Sequence, residues 1–346
     1  MTPRQKTERV TIKTVAADAG VSVAAVSKVL RDAYGVSATL RGKVQASIEK
    51  LGYRPHAAAR GMRGQTYTLG FILPDIHNPF FTDIVAGVNT ALERTQYQVL
   101  YGIGLSNAAA EQSLIDSMMD RQMDGIILIG PRLTQQAIEA VAHRIPLTLI
   151  AHHRPSAQTY DTVNDDDVHG AELVVQHLVA GGYRNIAMLS LDPMTDDASQ
   201  VTEQREIGYR RAMEKAGLKR FIKVVWAAQR PRDILPVVKQ LLQSRGRPEA
   251  IFCWTDFIAL EVLSAAHELG LSVPGDLAVV GYDNTSWCDL AQNALTSIDQ
   301  SGQVIGLQAA RLLTERIKGR TTPEHFVIAP RLVARNSTAR RTPPAR

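Results

Sequence analysis

Polar and aromatic side chains follow several apolar, strand-like segments of this 346-residue chain. The candidates are Asn78, Phe80, Phe81, Arg205, Thr255, Asp256 and Asp283. Aromatic rings can stack on a sugar or a heterocycle, a carboxylate accepts hydrogen bonds from hydroxyl or N–H groups, and a guanidinium donates in a fork. The set predicts a site for a polyhydroxylated or heterocyclic small molecule. Taken one at a time, the two phenylalanines could also belong to a hydrophobic core, Arg205 to a surface ion pair and Asp283 to a turn.

Catalytic motifs are missing from the sequence. It contains no Walker loop, no GxSxG, no HExxH and no GxGxxG after a strand-like segment. His152 and His153, together with the run from Asp165 to Asp167, could suggest a metal site, but adjacent histidines in a loop rarely converge on one ion. We therefore expect neither an enzyme nor a bound cofactor or metal.

The elements that must position the candidate residues begin near Thr68. From there, apolar strand-like runs alternate with amphipathic helix-like runs, which is typical of parallel sheets covered by helices on both faces. The predicted helices cover residues 79–95, 108–122, 134–143, 167–180, 203–216, 232–244, 257–269 and 302–318. The strands divide more naturally between two doubly wound lobes than within one sheet. Ligands of such folds bind beyond the carboxyl ends of the strands.

The first part of the chain carries three short helical patterns. Thr11 and Ser22 are the expected N-caps of the first two helices, which Gly20 separates. Ser37 is the expected N-cap of a third helix, which Gly52 ends. This order of helix, turn and helix predicts a helix-turn-helix, whose second helix enters the major groove of DNA.

The second helix of this head has an expected buried face and an expected outer face. The buried face comprises Val26, Val29 and Leu30. The positions away from it are Val23, Ala24, Ser27 and Lys28. The two apolar side chains among these could contact a thymine methyl group, and Lys28 could donate to guanine. Any pair of packed helices would show such faces, so the assignment depends on further observations.

Charge is unevenly distributed along the chain. Residues 1–63 hold 12 Lys and Arg against 4 Asp and Glu, whereas the remainder holds 27 against 30. A small basic head on a mildly acidic body favours binding to a polyanion, although a solvated basic face would have the same balance. Two cysteines cannot form a disulfide framework, and the sequence has neither an export signal nor a membrane-spanning run. We therefore expect a cytoplasmic protein.

A short segment, HAAARGMR at residues 56–63, joins the head to the body. It is compatible with a helix but has too few large apolar groups to fold alone. An alanine-rich helix can approach a narrow groove closely, and Met62 could wedge between base pairs in the minor groove. The other interpretation is an ordinary linker whose methionine docks on the body.

Taken together, these segments resemble the lactose/galactose repressor (LacI/GalR) family. The resemblance is carried by TIKTVAADAGVSVAAVSKVL, LGYRPHAAARGMR, TLGFILPDIHNPFF and VPGDLAVVGYDN, in the order that the family shows, and it covers residues 11–338. It implies a helix-turn-helix head, a hinge helix that folds on operator DNA, and a core similar to the periplasmic sugar-binding proteins. It also implies a homodimer, whose symmetry suits a pseudo-palindromic operator.

Carried over by position, the resemblance implies a DNA-binding role for residues of the head and hinge. Val23, Ala24 and Lys28 match base-reading positions, whereas Thr11 and Ser27 match phosphate contacts. The full implied set is Thr11, Ser22, Val23, Ala24, Ala25, Ser27, Lys28, His56, Ala57, Met62 and Arg63. Among the departures, Ala25 lacks the hydroxyl of the usual threonine, and Gly61 costs the hinge helix about 0.5–1 kcal/mol relative to alanine.

In the core, the resemblance implies effector contacts at Arg205, in the motif RxxGY, and at Asp283, in GYDN. His152 and Thr255 occupy pocket positions where the family commonly has other residues, so the pocket is expected to be specialised. The implied effector-binding set is Phe80, Phe81, His152, Arg205, Thr255, Asp256 and Asp283.

The sequence thus predicts an α/β protein. It has an N-terminal helix-turn-helix DNA-binding head and a periplasmic-binding-protein-like core of two doubly wound parallel-sheet lobes. The expected parts are the head (1–54), the hinge helix or linker (55–66), the effector-binding and dimerisation core (67–338) and a tail (339–346). We expect a transcription repressor that responds to a sugar or sugar derivative, or else to a purine. The other function considered is a solute-binding protein without catalytic activity, against which the basic head and the missing export signal argue.

Overall fold

The computed structural model describes residues 10–30, 33–53, 65–192, 200–227 and 231–339. Backbone contacts divide the chain into two compact units, Met1–Thr66 and Tyr67–Arg346. The finer boundaries predicted after residues 54 and 338 stay predictions.

The head is a bundle of three helices, α1 (Ile12–Asp18), α2 (Val23–Leu30) and α3 (Ala38–Leu51). Thr11 caps α1 by accepting a hydrogen bond from the backbone of Thr14, and Ser22 Oγ accepts one from the backbone of Ala25 at 3.1 Å. Ser37 caps α3, which ends at Gly52 in the left-handed conformation. These caps were expected from the sequence and are confirmed. The buried core comprises Val15, Ala16, Val26, Val29, Val44 and Tyr53.

Two expectations about α2 were wrong. Leu30 is 37% exposed rather than buried, because α2 ends at this residue and its side chain extends past the core. Ser27 is only 8% exposed, although it was placed on the outer face. A side chain as small as serine is covered by its neighbours even at the flank of a helix. The outer face of α2 is therefore narrower than the sequence indicated.

The second unit contains two lobes, each built on a six-stranded sheet. In lobe 1 the strand order is β11-β5-β4-β3-β1-β2, and every strand pairing is parallel. Its strands are β1 (Thr68–Leu73), β2 (Gln98–Ile103), β3 (Gly125–Ile129), β4 (Leu147–Ile150), β5 (Asp161–Asp165) and β11 (His325–Ile328). Its helices are α4 (Phe80–Leu92), α5 (Ala108–Asp120), α6 (Gln135–Ala142) and α11 (Gly302–Ile317).

Lobe 2 repeats this architecture with the order β12-β10-β9-β8-β6-β7, in which the short strand β12 runs antiparallel to β10. Its strands are β6 (Ile186–Leu191), β7 (Lys223–Ala227), β8 (Ala250–Cys253), β9 (Ala278–Tyr282), β10 (Thr296–Asp299) and β12 (Arg331–Val333). Its helices are α7 (Asp167–Ala180), α8 (Val201–Lys215), α9 (Pro231–Gln243) and α10 (Asp256–Glu268). The predicted fold class of two doubly wound lobes is confirmed. In the described part of the chain, no helix is long and apolar enough to cross a membrane.

The chain crosses between the lobes three times, after β5, after β10 and after β11. The sequence-based prediction did not identify the strands at these crossings. β5 carries polar residues at both ends although it is fully buried, and β10 has only one large apolar residue. β11 lies at an edge and is only partly buried. Neither β5 nor β10 therefore shows the continuous apolar run of a buried parallel strand, and in β11 this run is only three residues long.

Helices α4 and α11 of lobe 1 lie in direct backbone contact. A Cβ atom on Gly87 of α4 would lie 2.0 Å from the carbonyl oxygen of Gln303. A Cβ atom on Gly306 of α11 would lie 1.9 Å from the carbonyl oxygen of Ile84. A larger side chain at either glycine would therefore separate the two helices. Helix α11 is an integral part of lobe 1, although it follows most of lobe 2 in the chain.

Candidate ligand-binding cleft and DNA-binding head

A cavity of about 790 Å³ lies between the two lobes of the second unit, beyond the carboxyl ends of their strands. Five of the seven predicted effector-binding residues line it: Phe80, Phe81, Arg205, Thr255 and Asp283. Phe80 and Phe81 enter from the start of α4, with ring centroids 6.1 Å apart. Thr255 caps α10 and accepts a hydrogen bond from the backbone of Ile258. The position at strand ends is the one expected for a ligand site in a doubly wound fold.

Arg205 of α8 is the central cation of the cavity and is only 3% exposed. Its Nε donates to Asp167 Oδ1 at 2.6 Å, and Nη1 donates to the carbonyl oxygen of Trp254 at 2.5 Å. The guanidinium also lies over the ring of Tyr282, 3.5 Å from its centroid. Burial opposes ionisation of Asp167, but the charge of Arg205 and the hydrogen bond from His153 lower the pKa of Asp167. Arg205 and Asp167 thus form a buried ion pair.

Asp283 follows β9 and connects the two lobes. Its Oδ2 accepts a hydrogen bond from Asn78 Nδ2 of lobe 1 at 2.7 Å, and its Oδ1 accepts one from Gln300 Nε2 at 2.5 Å. The backbone of Asp283 has a φ of 115°, a conformation that L-residues rarely adopt. Burial, with the nearby charge of Asp256, raises the pKa of Asp283 well above its ordinary value.

A second buried carboxyl group, that of Asp165, faces the cavity from the end of β5. The hydroxyl of Tyr282 donates to Asp165 Oδ2 at 2.8 Å. Burial and the charge of Asp167 raise the pKa of Asp165 to about 7. His153 Nε2 lies 2.7 Å from Asp167 Oδ2 on the far side of the ion pair.

Two predicted residues, His152 and Asp256, do not line the cavity. His152 Nε2 lies 3.2 Å from the Tyr160 hydroxyl, and its ring is 2% exposed within lobe 1. Asp256 is fully buried in lobe 2 and accepts hydrogen bonds from Thr285, Cys288 and Ser297. Both side chains therefore find their partners inside their own lobe rather than in the cleft.

The sequence-based prediction missed several residues at the cleft, namely Arg132, Asp165, Asp167, Trp254, Tyr282 and Gln300. Asp165 ends β5 and Gln300 follows β10, so the rule that ligands bind at strand ends could have found both. It did not, because neither strand was identified. In the part of the chain that the structure describes, no cluster of His, Cys, Asp or Glu could hold a metal ion.

On the head, α2 presents a small outer surface. Val23 is 38% exposed, and Ala24 and Lys28 are also exposed. The remaining described residues of the predicted set behave differently: Thr11 and Ser22 act as helix caps, Ala25 is half-buried, and Ser27 is buried. His56, Ala57, Met62 and Arg63 lie outside the described residues. Val23, Ala24 and Lys28 are thus the exposed residues of the predicted set on α2 and the described candidates for base contacts.

Models of known protein families match a part of each unit. Residues 11–56 match the model of bacterial regulatory proteins of the lacI family, and residues 175–338 match that of the periplasmic binding protein-like domain. The chain is 34% identical over 334 residues to catabolite control protein A of Priestia megaterium, covering 95% of this chain and 99% of that protein. It is 31% identical over 339 residues to the HTH-type transcriptional repressor PurR of Actinobacillus pleuropneumoniae, covering 94% and 98%.

Solved structures give the same result. A lac repressor dimer bound to operator and the anti-inducer ONPF has a TM-score of 0.81 and 25% identity, covering 96% of this chain and all of that one. The complex of the transcriptional regulator CelR with cellobiose has a TM-score of 0.69 and 27% identity, covering 95% of this chain and all of that one.

The chain belongs to the lacI family of bacterial regulatory proteins. It is a DNA-binding transcriptional regulator with a domain that binds a small-molecule effector. Its PurR relatives are named as transcriptional repressors and not as enzymes, and the comparisons do not favour a solute-binding protein that lacks DNA binding.

Proposed function

We propose that this regulator represses transcription in the cytoplasm, and that an effector bound between Arg205 and Asp283 controls its affinity for the operator. The observation that carries the proposal is the convergence of these two buried side chains on one cavity at the carboxyl ends of both sheets. Because Asp283 also accepts a hydrogen bond from Asn78 of the other lobe, a ligand that binds Asp283 changes a contact between the lobes. A change of lobe geometry is the physical event that a dimer could transmit to its two heads.

The effector that we propose is a sugar or a sugar derivative. Aromatic rings beside carboxyl and amide groups suit a polyhydroxylated molecule, since the rings stack and the polar groups bond to hydroxyls. Phe80, Phe81 and Trp254 supply the rings, and Asn164 and Asp283 supply polar groups. A cavity of about 790 Å³ is large enough for one or two sugar rings. The related regulator CelR holds cellobiose, which supports this choice.

We further propose a homodimer that binds a pseudo-palindromic operator. The related lac repressor was solved as a dimer on its operator. In lobe 1, the edge strand β2 exposes Leu100 at 49% and Tyr101 at 43%, which gives the unit an apolar edge suited to a second copy. A two-fold axis would present two α2 helices to two half-sites of opposite orientation.

Replacing Asp283 with alanine tests the effector site. The variant should still bind operator, because Asp283 belongs to the second unit and not to the head, but it should lose the response to effector. Coupling of this kind is typically worth about 1–3 kcal/mol, so effector should change the operator affinity of the wild type by about 5–150-fold. In the variant, the operator affinity should be the same with and without effector. Operator titrations by fluorescence anisotropy, with and without saturating effector, measure this change.

The matched control is Asp120→Ala, which removes an exposed carboxylate from the end of α5 outside the cavity. This control should keep the full response. A full response in Asp283→Ala as well would place the effector elsewhere.

Replacing Lys28 with alanine tests the reading of bases. Specific binding to operator should weaken by about 1–3 kcal/mol if Lys28 donates to a base edge, whereas binding to random DNA should weaken much less. Lys43→Ala, at another exposed lysine of the head, controls for the loss of one positive charge. Equal losses on operator and on random DNA would show that Lys28 contacts only phosphate.

A further inference from the structure

The buried part of the cleft has more acidic than basic groups. Among the described residues, two buried carboxyl groups line it, those of Asp165 and Asp283, and two more, those of Asp167 and Asp256, lie behind the lining within electrostatic reach of them; each of the four is at most 5% exposed. The cations near them are Arg205 and His153. The outer lining adds three more carboxylates, those of Asp75, Asp192 and Asp233, against Arg132. The described lining is therefore acidic overall.

The one buried guanidinium of this group does not contact all of these carboxyl groups. Arg205 bonds to Asp167 and to the Trp254 carbonyl oxygen, and it packs on Tyr282. The two carboxyl groups that face the cavity are bonded by uncharged donors of the described residues. Asp165 accepts from the phenol of Tyr282, and Asp283 accepts from two side-chain amides. A positive charge that binds directly to these two groups is therefore missing from the described part of the cleft.

The remaining walls suit a cation that also carries hydroxyl groups. The rings of Phe80, Phe81 and Phe257 line the cavity, and the face of an aromatic ring attracts a cation within about 6 Å. Trp254 also lines the cavity, but Arg205 already lies over its ring. The indole Nε1 of Trp254 is buried and has no hydrogen-bond partner among the described residues. An unpaired buried donor is costly, and a ligand hydroxyl could accept its hydrogen bond.

We propose that the effector is a cation, a protonated amine on a polyhydroxylated frame, whose ammonium group binds between the carboxylates of Asp165 and Asp283. This inference rests on the proposed effector site in the cleft and specifies the chemistry of its ligand. The same groups disfavour sugar phosphates and sugar acids, because an anion would oppose the ionisation of these carboxyl groups.

In the unliganded protein, protonation of Asp165 and Asp283 reduces this excess of negative charge. Burial raises the pKa of both carboxyl groups, and for Asp165 the value is about 7. The groups that face Asp165 are the carboxylates of Asp167 and Asp283, the cations Arg205 and His153, and the phenol of Tyr282. A bound ammonium group favours the ionised carboxylates, so ligand binding releases protons. Affinity for an amine should therefore rise with pH, whereas affinity for an uncharged sugar should not.

The binding experiment uses a panel of hexoses and pentoses, each as the amino sugar, the neutral sugar and the sugar acid. Thermal-shift assays on the full chain, at about pH 5.5 and about pH 7, give the stabilisation by each compound. We expect the largest shifts from amino sugars, with dissociation constants that fall at the higher pH. The inference fails if the best compounds are neutral or acidic, or if none raises the melting temperature. A neutral sugar that binds and also releases operator would overturn this inference while leaving the proposed function intact.

A ligand-free measurement tests the excess charge directly. In Asp165→Asn the amide oxygen can still accept from Tyr282, but the negative charge is gone. Because the pKa of Asp165 is raised in the folded state to about 7, this group lowers the stability of the wild type as pH rises from about 4 to about 7, and the variant lacks that contribution. The variant should melt several degrees above the wild type at about pH 8, and the difference should be clearly smaller at about pH 5. It should also bind amino sugars at least about tenfold more weakly.

Asp120→Asn is the matched control, since it removes an exposed carboxylate from the end of α5, outside the cavity. Its melting temperature should follow that of the wild type at both pH values. An Asp165→Asn variant that is destabilised equally at both pH values would show that the cleft does not hold an excess of negative charge.

Discussion

Replacing Arg205 with methionine is expected to destabilise the second unit by about 3–5 kcal/mol. The substitution removes the guanidinium partner of Asp167, whose side chain is fully buried, and leaves this charge inside lobe 2 with His153 as its remaining ion-pair partner among the described residues. It also removes the donor to the Trp254 carbonyl oxygen and the cation that packs on Tyr282. Urea unfolding, followed by circular dichroism, measures the change in the free energy of unfolding.

The double variant Arg205→Met with Asp167→Leu is the control for this prediction. Replacing both members of a buried ion pair with apolar groups of similar size often costs little, so the double variant should recover much of the lost stability. A single Arg205→Met variant as stable as the wild type would mean that the pair is not buried in solution. For the same reason, a lost effector response in an Arg205 variant would not by itself identify a ligand contact, and Asp283 is the cleaner test.

Replacing Asp161 with alanine is expected to destabilise lobe 1 by about 3 kcal/mol. Asp161 opens β5, is fully buried, and pairs with Arg316 of α11 and with Arg320 at 2.8 Å each. It also accepts a hydrogen bond from the backbone of Glu324, just before β11. Burial opposes ionisation of Asp161, but hydrogen bonds from both arginines hold its pKa below the ordinary value.

The sign of the pH dependence follows from that lowered pKa. The contribution of Asp161 is present above the ordinary carboxyl pKa of about 4 and is lost as the pH falls through the lower folded value. The difference between wild type and Asp161→Ala should therefore shrink in acid, which unfolding at several pH values would show. Asp289→Ala is the control, because Asp289 pairs with Arg335 but is 73% exposed, and an exposed pair contributes at most about 1 kcal/mol. Equal effects of the two substitutions would contradict the prediction for Asp161.

The fold was predictable from the sequence where local signals determine structure. The caps of the head depend on residues three positions apart, as in Thr11 with Thr14 and Ser22 with Ala25, and these were identified correctly. The buried strands of both lobes appear as continuous apolar runs. The strands at the lobe crossings were missed, because their burial is set by neighbouring elements and not by their own composition.

The site was predictable only in part, because its contacts join distant positions. Asn78 and Asp283 are 205 positions apart, and Asp165 and Tyr282 are 117 apart. No spacing rule connects such pairs, so the resemblance to a family gave Arg205 and Asp283 but not their partners. The same limit explains why the sequence did not show that His152 and Asp256 are bonded inside their own lobes and do not line the cleft.

The three crossings between the lobes also set the order in which the newly made protein can assemble. The head is continuous in the chain and can fold as soon as its third helix leaves the ribosome. Strands β1 to β5 emerge next, but the buried face of α11 and the edge strand β11 belong to the same lobe and come last. Lobe 2, second in sequence, acquires five of its six strands before lobe 1 can be completed. The nascent chain must therefore expose part of the hydrophobic core of lobe 1 to solvent through most of its synthesis. This is the stage at which chaperones would be needed.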